Sequence, residues 1–201
     1  QADRLLQYQK VTARVFDCHC GFPVNSDTVS DHFIFIGQAT PTKGLLQAVE
    51  LCNELGVPLD AIGAVRAGDQ AYFEQCQAAA GPLTELWGEV SEPVKISLLA
   101  RARGHIFPIQ YEEAHSHKTV DTLLAGVPTI AYRRGALPEV VEHGVDGFLV
   151  ETRDEFKDAM LRVGELDRAL IRSRATARWG VRNVAERAVA LLGEVAGGLR
   201  W

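Results

Sequence analysis

Two carboxylates with seven residues between them, Glu113 and Asp121, stand inside the stretch YEEAHSHKTVDTLLAG, Tyr111 to Gly126. Ser116 can cap a helix that Gly126 closes, with Pro128 just beyond, so Glu113 falls before the helix and Asp121 inside it. At a rise of about 1.5 Å per residue this spacing corresponds to roughly 12 Å, comparable to the distance from the ribose to the sugar of a nucleotide diphosphosugar. One carboxylate could then grip a group at the helix mouth while the other holds a diol deeper in. Between them lie Ala114, His115, Ser116 and His117 and the first amides of the helix, which favour a diphosphate through hydrogen bonds and the macrodipole. From spacing alone a second reading stands, in which Glu113 is a solvated loop residue and Asp121 an exposed helical one.

His115 and His117 form an H-x-H pair beside Glu113, which suggests a metal site, yet two histidines and a carboxylate in a loop also occur without metal. No metal is expected. The segment DCHC (Asp17 to Cys20) lacks a second pair at zinc-finger spacing, and Cys18, Cys20, Cys52 and Cys76 read as reduced, partly buried thiols. His105 and His143 are expected at the surface or in caps. Trp87 and Trp179 are expected in the core.

The elements that must hold these residues are legible in the patterning. HFIFIG (His32 to Gly37) is a short apolar run ending in glycine, as in a strand buried on both faces. After the loop QATPTKG, LLQAVELCNELG carries apolar residues at helical spacing, with Gly56 at the C-terminal cap. The unit repeats through VPLDAIGAV, DQAYFEQCQAAAG, LTELWGEV, EPVKISLLARA and GHIFPI. It continues through SHKTVDTLLAG, VPTIAY, ALPEVVEHG and GFLVE, and from Glu155 onward the chain is helical. Strands alternating with helices predict an α/β Rossmann-like parallel sheet with helices on both faces. Ligands of such sheets bind at the carboxyl ends of the strands, which directs attention to GQATPTKG, GAVRAGD, GEVSEP, PIQYEEAHSHK and YRRGALPE.

Upstream, Gln1 to Lys10 reads as a short amphipathic helix and ARVFDCHC as a strand. Gly21 to Asp31, GFPVNSDTVSD, has linker composition, which places a boundary there and a main domain at 32–201. The 201 residues are 47% apolar and 23% charged, and no apolar run reaches the length of a membrane span. With no signal-peptide pattern, a cytoplasmic globular protein is expected. A net charge of −5 with scattered Lys and Arg excludes the footprint of a nucleic-acid binder, while leaving room for a local site for a nucleotide-sized anion.

The pair Glu113 and Asp121, the segment LLAGVPTIAYRRGALPEVVEHGVDGFLV and the upstream FIFIGQATPTKG and LWGEVSEPVKISLLARARGHIFP occur in an order that resembles the retaining GT-B glycosyltransferases with the E-x7-E signature, the group 1 family. The resemblance runs from about His32 to Val150 and implies that the chain corresponds to the donor-binding C-terminal half of that architecture. Gln1 to Asp31 would then be the tail of the N-terminal domain and the linker. By the same resemblance Glu113 contacts the transferred sugar and Asp121, one methylene shorter than the usual Glu, the ribose hydroxyls. Lys43 with Gly44 pairs with the diphosphate and stabilises its departure without a metal, and Val90 and Ser91 hold the base through backbone groups.

Two positions depart from the family's pattern. Gln38 follows Gly37 where an arginine is usual, so phosphate binding loses a charge unless Arg66 or Arg133 reaches in. Ala114, His115, Ser116 and His117 replace the favoured Phe-Gly, which implies an unusual sugar pocket. The expected function is a hexosyltransferase using a nucleotide diphosphosugar donor, with Glu113 and Lys43 catalytic and no separate cofactor. Its acceptor domain would be supplied in cis or as a partner, because the chain alone is not expected to hold a complete catalytic set. A sugar-nucleotide epimerase and a non-catalytic nucleotide-sugar-binding module are the alternative readings.

Overall fold

The computed structural model describes residues 29–197. The expected amphipathic helix, the ARVFDCHC strand and most of the linker lie outside the described residues. Six strands follow the predicted order: β1 Phe33–Ile36, β2 Leu59–Ile62, β3 Thr84–Gly88, β4 Gly104–Phe107, β5 Thr129–Tyr132 and β6 Gly147–Val150. Between them run α1 Leu45–Leu55, α2 Gln70–Ala79, α3 Glu92–Arg101, α4 His117–Leu124 and the single turn α5 Leu137–Val140. The chain then continues as α6 Arg153–Arg162, a 3-10 turn Val163–Glu165, α7 Arg168–Trp179 and α8 Val181–Ala196.

The strands form one parallel sheet in the order β3-β2-β1-β4-β5-β6. This is the Rossmann-like class read from the sequence. Alternation along β1 shows how both faces are buried: Phe33 and Phe35 join a core with Leu51 of α1, Phe156 of α6 and Ile106 of β4. Ile34 and Ile36 point the other way, onto Leu98 and Leu99 of α3. Under β4 to β6, Val120 and Leu123 of α4 pack with Ile171 and Trp179 of α7. Chain order reverses between β1, whose neighbours are β2 and β4, and this switch point opens a crevice at the carboxyl ends of the strands.

Two side chains sit differently from their sequence-based expectation. Trp87 on the edge strand is 45% exposed rather than part of the core, and its indole N–H donates to Asp60 at 2.8 Å. Asp60 itself is buried and also accepts from Arg101 Nη2 at 2.8 Å and meets His32 Nδ1 at 3.1 Å, so a carboxylate rather than the apolar core holds the indole. His105 is fully buried in β4 instead of at the surface, with Nδ1 at 3.2 Å from Thr129 Oγ1. His143 is exposed as expected, and its Nδ1 meets the backbone of Leu149. Trp179 lies in the core, as do the free thiols Cys52 and Cys76.

Burial of His105 carries a pH prediction, because desolvation of the imidazolium pushes its pKa down to about 3. The unfolded chain binds a proton below about pH 6.5 and the native state does not until about pH 3, so stability is lost as pH falls through that window. Chemical denaturation at pH 7.5 and pH 5 is expected to differ by about 2 kcal/mol from this residue. In His105→Gln most of that difference disappears. Equal acid sensitivity in the two proteins would mean that the native imidazole accepts a proton freely.

Candidate donor site

Backbone contacts bring the strand ends together before any side chain is considered. Gly37 N–H donates to Ile62 O at 3.0 Å, Ala39 N–H to Ala64 O at 3.1 Å, and Gly63 N–H to Gly88 O at 2.8 Å. The loops after β1, β2 and β3 are thereby zipped side by side. Across the switch point, Gln110 N–H donates to Thr42 O at 2.8 Å, tying the Lys43 loop to the segment after β4. Gly44, at φ +82, precedes α1 with its α-carbon so near that strand end that an added Cβ would lie 2.1 Å from Pro108 O. Only glycine allows that approach, and it sets Lys43 beside Glu113.

Glu113 is fixed from the far side. Gly135, at φ +56, lies where a Cβ would meet Glu113 O at 2.2 Å, and Ala136 N–H donates to that same oxygen at 2.7 Å. Gly135 N–H donates in turn to Glu112 Oε2 at 2.6 Å. The result is a buried Glu113 carboxylate that accepts from Lys43 Nζ at 2.7 Å and from Tyr111 O–H at 2.8 Å, both at Oε2. Tyr111 also touches Lys43 Nζ directly, and the ammonium lies 4.7 Å from the Tyr111 ring centre. Burial pulls the Lys43 pKa down, but the bonds and charge of Glu113 and Tyr111 outweigh it and hold the ammonium above the usual lysine range. Burial pushes the Tyr111 phenol up, against the hydrogen bond from Lys43, so it stays a neutral donor.

Two adjoining hollows make one cleft. The first, of about 420 Å³, is lined by Gly37, Gln38, Lys43, Tyr111, Glu113, His115, Ser116, His117 and Lys118, with Ile36 and Phe107 beneath. The second, of about 260 Å³, is lined by Ile62, Gly63, Ala64, Glu89, Val90, Glu92 and Lys95. Ile36, Gly37, Gln38 and Lys118 belong to both, so these residues mark the junction. Together the hollows fall in the size range of small-molecule sites.

The N-terminus of α4 faces the cleft. Ser116 is its N-cap residue, though its hydroxyl meets Thr119 Oγ1 at 2.7 Å rather than a backbone amide. The first intrahelical bond runs from Val120 N–H to Ser116 O at 3.1 Å, so the amides of His117, Lys118 and Thr119 precede the ladder at the positive end of the helix dipole. His115 and His117 meet edge to face at 4.4 Å, and no group of three or more His, Cys, Asp or Glu able to hold a metal occurs among the described residues.

Of the residues singled out in the sequence, Gly37, Gln38, Lys43, Val90, Glu113, His115, Ser116 and His117 line the cleft. Gly44 and Ser91 act one step behind it, as N-cap residues of α1 and α3, and Ala114 is exposed beside it. Asp121 does not line the cleft. It is buried in α4, contrary to its alternative reading as an exposed helical residue, and lies 3.9 Å from Lys95 Nζ, which itself lines the second hollow. Lys95 also meets Glu92 Oε2 at 2.9 Å. Gln38 presents its amide oxygen to Arg66, accepting from Nε at 3.1 Å and Nη2 at 2.6 Å with the amide assigned by its hydrogen bonds. Arg133 turns instead to Glu151, at 3.3 Å. Sequence reasoning missed Tyr111, whose signal was an aromatic two residues before Glu113, and Lys118, a cation in the first turn of a helix.

These features define a Rossmann-like α/β domain with a helix N-terminus, a lysine and a buried carboxylate at its switch point. The family profile described as Glycosyl transferases group 1 matches residues 30–165, and the chain belongs to that family. Among solved structures it is similar to AviGT4, a glycosyltransferase involved in avilamycin A biosynthesis, at 24% identity and a TM-score of 0.75 over 87% of this chain and 54% of that one. It is similar to Alr3699/HepE from Anabaena in complex with UDP-glucose at 18% identity and a TM-score of 0.70, over 82% of this chain and 49% of that one. Sucrose-phosphate synthase from Thermosynechococcus elongatus is similar at 18% identity and a TM-score of 0.70, over 86% and 47% of the two chains. The chain therefore spans about half the length of these structures. Comparison with curated protein sequences returned no match. No helix among the described residues is long and apolar enough to cross a membrane.

Proposed function

We propose that this chain is the donor-binding half of a retaining glycosyltransferase that uses a nucleotide diphosphosugar without a metal. The observation that carries the reading is the cleft at the switch point, where Lys43, Glu113 and the first amides of α4 border one hollow that continues into a second beside Val90. The likeness to a fold solved with UDP-glucose supports the same reading.

In this reading the base lies in the hollow beside Val90 and Glu89, with Ser91 just behind it. The diphosphate crosses the junction at Gly37 and Gln38 toward the N-terminus of α4, and the sugar reaches Glu113. Lys43 then leaves its Glu113 partner to meet the phosphate oxygens, where a point charge stabilises the negative charge that develops as the glycosyl bond breaks. Asp121 acts on the ribose through Lys95, which lies 3.9 Å from it and lines the second hollow. The acceptor is oriented by a second domain, in cis or as a partner subunit.

The direction of the ligand is tested by two isosteric substitutions. Asp121→Asn is expected to weaken a nucleoside diphosphate and its sugar conjugate alike by about tenfold, the scale of one charged hydrogen bond. Glu113→Gln is expected to spare the free nucleotide and weaken only the additional affinity given by the sugar. Calorimetric titration of both variants with both ligands decides the matter, and equal loss of free nucleotide in the two would contradict the assigned direction.

A further inference from the structure

Three lysines line the cleft, and their surroundings differ. Lys43 is paired with Glu113 at 2.7 Å. Lys95 is paired with Glu92 at 2.9 Å and lies 3.9 Å from Asp121. Lys118 forms no ion pair among the described residues, is exposed, and lines both hollows at their junction. It also occupies the second position of α4, where a cation works against the positive end of the helix dipole. The dipole disfavours a bare lysine at this position and favours one that meets an anion. The same junction is lined by Gln38, whose amide carries no charge and whose oxygen is engaged by Arg66.

We propose that Lys118 is a phosphate-binding residue of this chain, supplying from the first turn of α4 the second positive charge that a diphosphate crossing the junction requires. The proposal rests on the donor-binding reading and adds a residue and a direction to it. A diphosphate at the junction is then clasped between Lys43 on one side and Lys118 on the other, with the α4 amides between them. Arg66, which lines neither hollow, serves to orient Gln38 rather than to bind phosphate.

The test is calorimetric titration of the 201-residue chain and its variants with uridine, guanosine and adenosine diphosphates, each beside its unphosphorylated nucleoside, at low and high salt. Lys118→Ala is expected to lower diphosphate affinity about tenfold at low salt, less at high salt, and to leave nucleoside affinity unchanged. Adding Gln38→Arg to Lys118→Ala is expected to recover most of the loss, because it puts a cation back at the same junction. Unchanged diphosphate affinity in Lys118→Ala, alongside a loss in Lys43→Ala, would overturn the assignment and leave the donor reading standing. So would an equal loss of nucleoside affinity, or a loss confined to Arg66→Ala. If no nucleotide of the panel binds the unsubstituted chain, the donor reading falls and this assignment with it.

Discussion

Sugar transfer by the 201-residue chain alone is expected to lie at least about a thousandfold below that of the same chain supplied with an acceptor-binding domain. Holding donor and acceptor in attack geometry is worth on the order of 7 to 11 kcal/mol, of which a single wall of the cleft provides little. The cleft lies at the carboxyl ends of the strands of one sheet, and the chain spans about half the length of the glycosyltransferases it resembles. Water, which a second domain would exclude, then competes for any activated sugar. Product mass at catalytic yield from this chain alone would show that an acceptor site exists within it.

Replacing Lys43 with alanine is expected to weaken nucleoside diphosphate binding by about 1.5 to 3 kcal/mol, a loss of roughly ten- to a hundredfold. Two effects add. The phosphate loses a charged donor, and the Glu113 carboxylate, only 7% exposed, keeps just the Tyr111 hydroxyl of its two side-chain partners and repels an incoming anion. Lys43→Arg is expected to recover part of the loss, since it restores charge without the compact ammonium that fits between Tyr111 and Glu113. Melting temperature measured beside affinity separates a binding effect from a folding effect, and unchanged affinity in a folded Lys43→Ala protein would remove the phosphate role.

Most of the fold was legible because it is written in local patterning. The short apolar run ending in Gly37 became β1, the alternating segments after it became its parallel neighbours, and Gly56, at φ +64, closes α1 where the sequence put a cap. The loops after β1 to β4 line the cleft, while the loop after β5 packs against the backbone of Glu113. What escaped was set by contacts between distant residues. Asp60, far in sequence from Trp87, holds that indole at the surface, and a position inside β4 buries a histidine next to Thr129. No periodicity announces that Gly135 anchors the backbone of Glu113 or that Gln38 turns to Arg66. Asp121 was placed correctly on its helix, but which side of α4 meets the cleft depends on how α4 packs against α7 and the sheet.

The cleft between Lys43, Glu113 and the start of α4 is expected to hold a nucleoside diphosphate. Calorimetric titration of the chain with uridine, guanosine and adenosine diphosphates tests it directly. Saturable one-to-one binding of at least one of them is expected, weakened in Lys43→Ala and competed by the matching nucleotide sugar. Absence of binding by all three at millimolar ligand, with the protein folded, would contradict it.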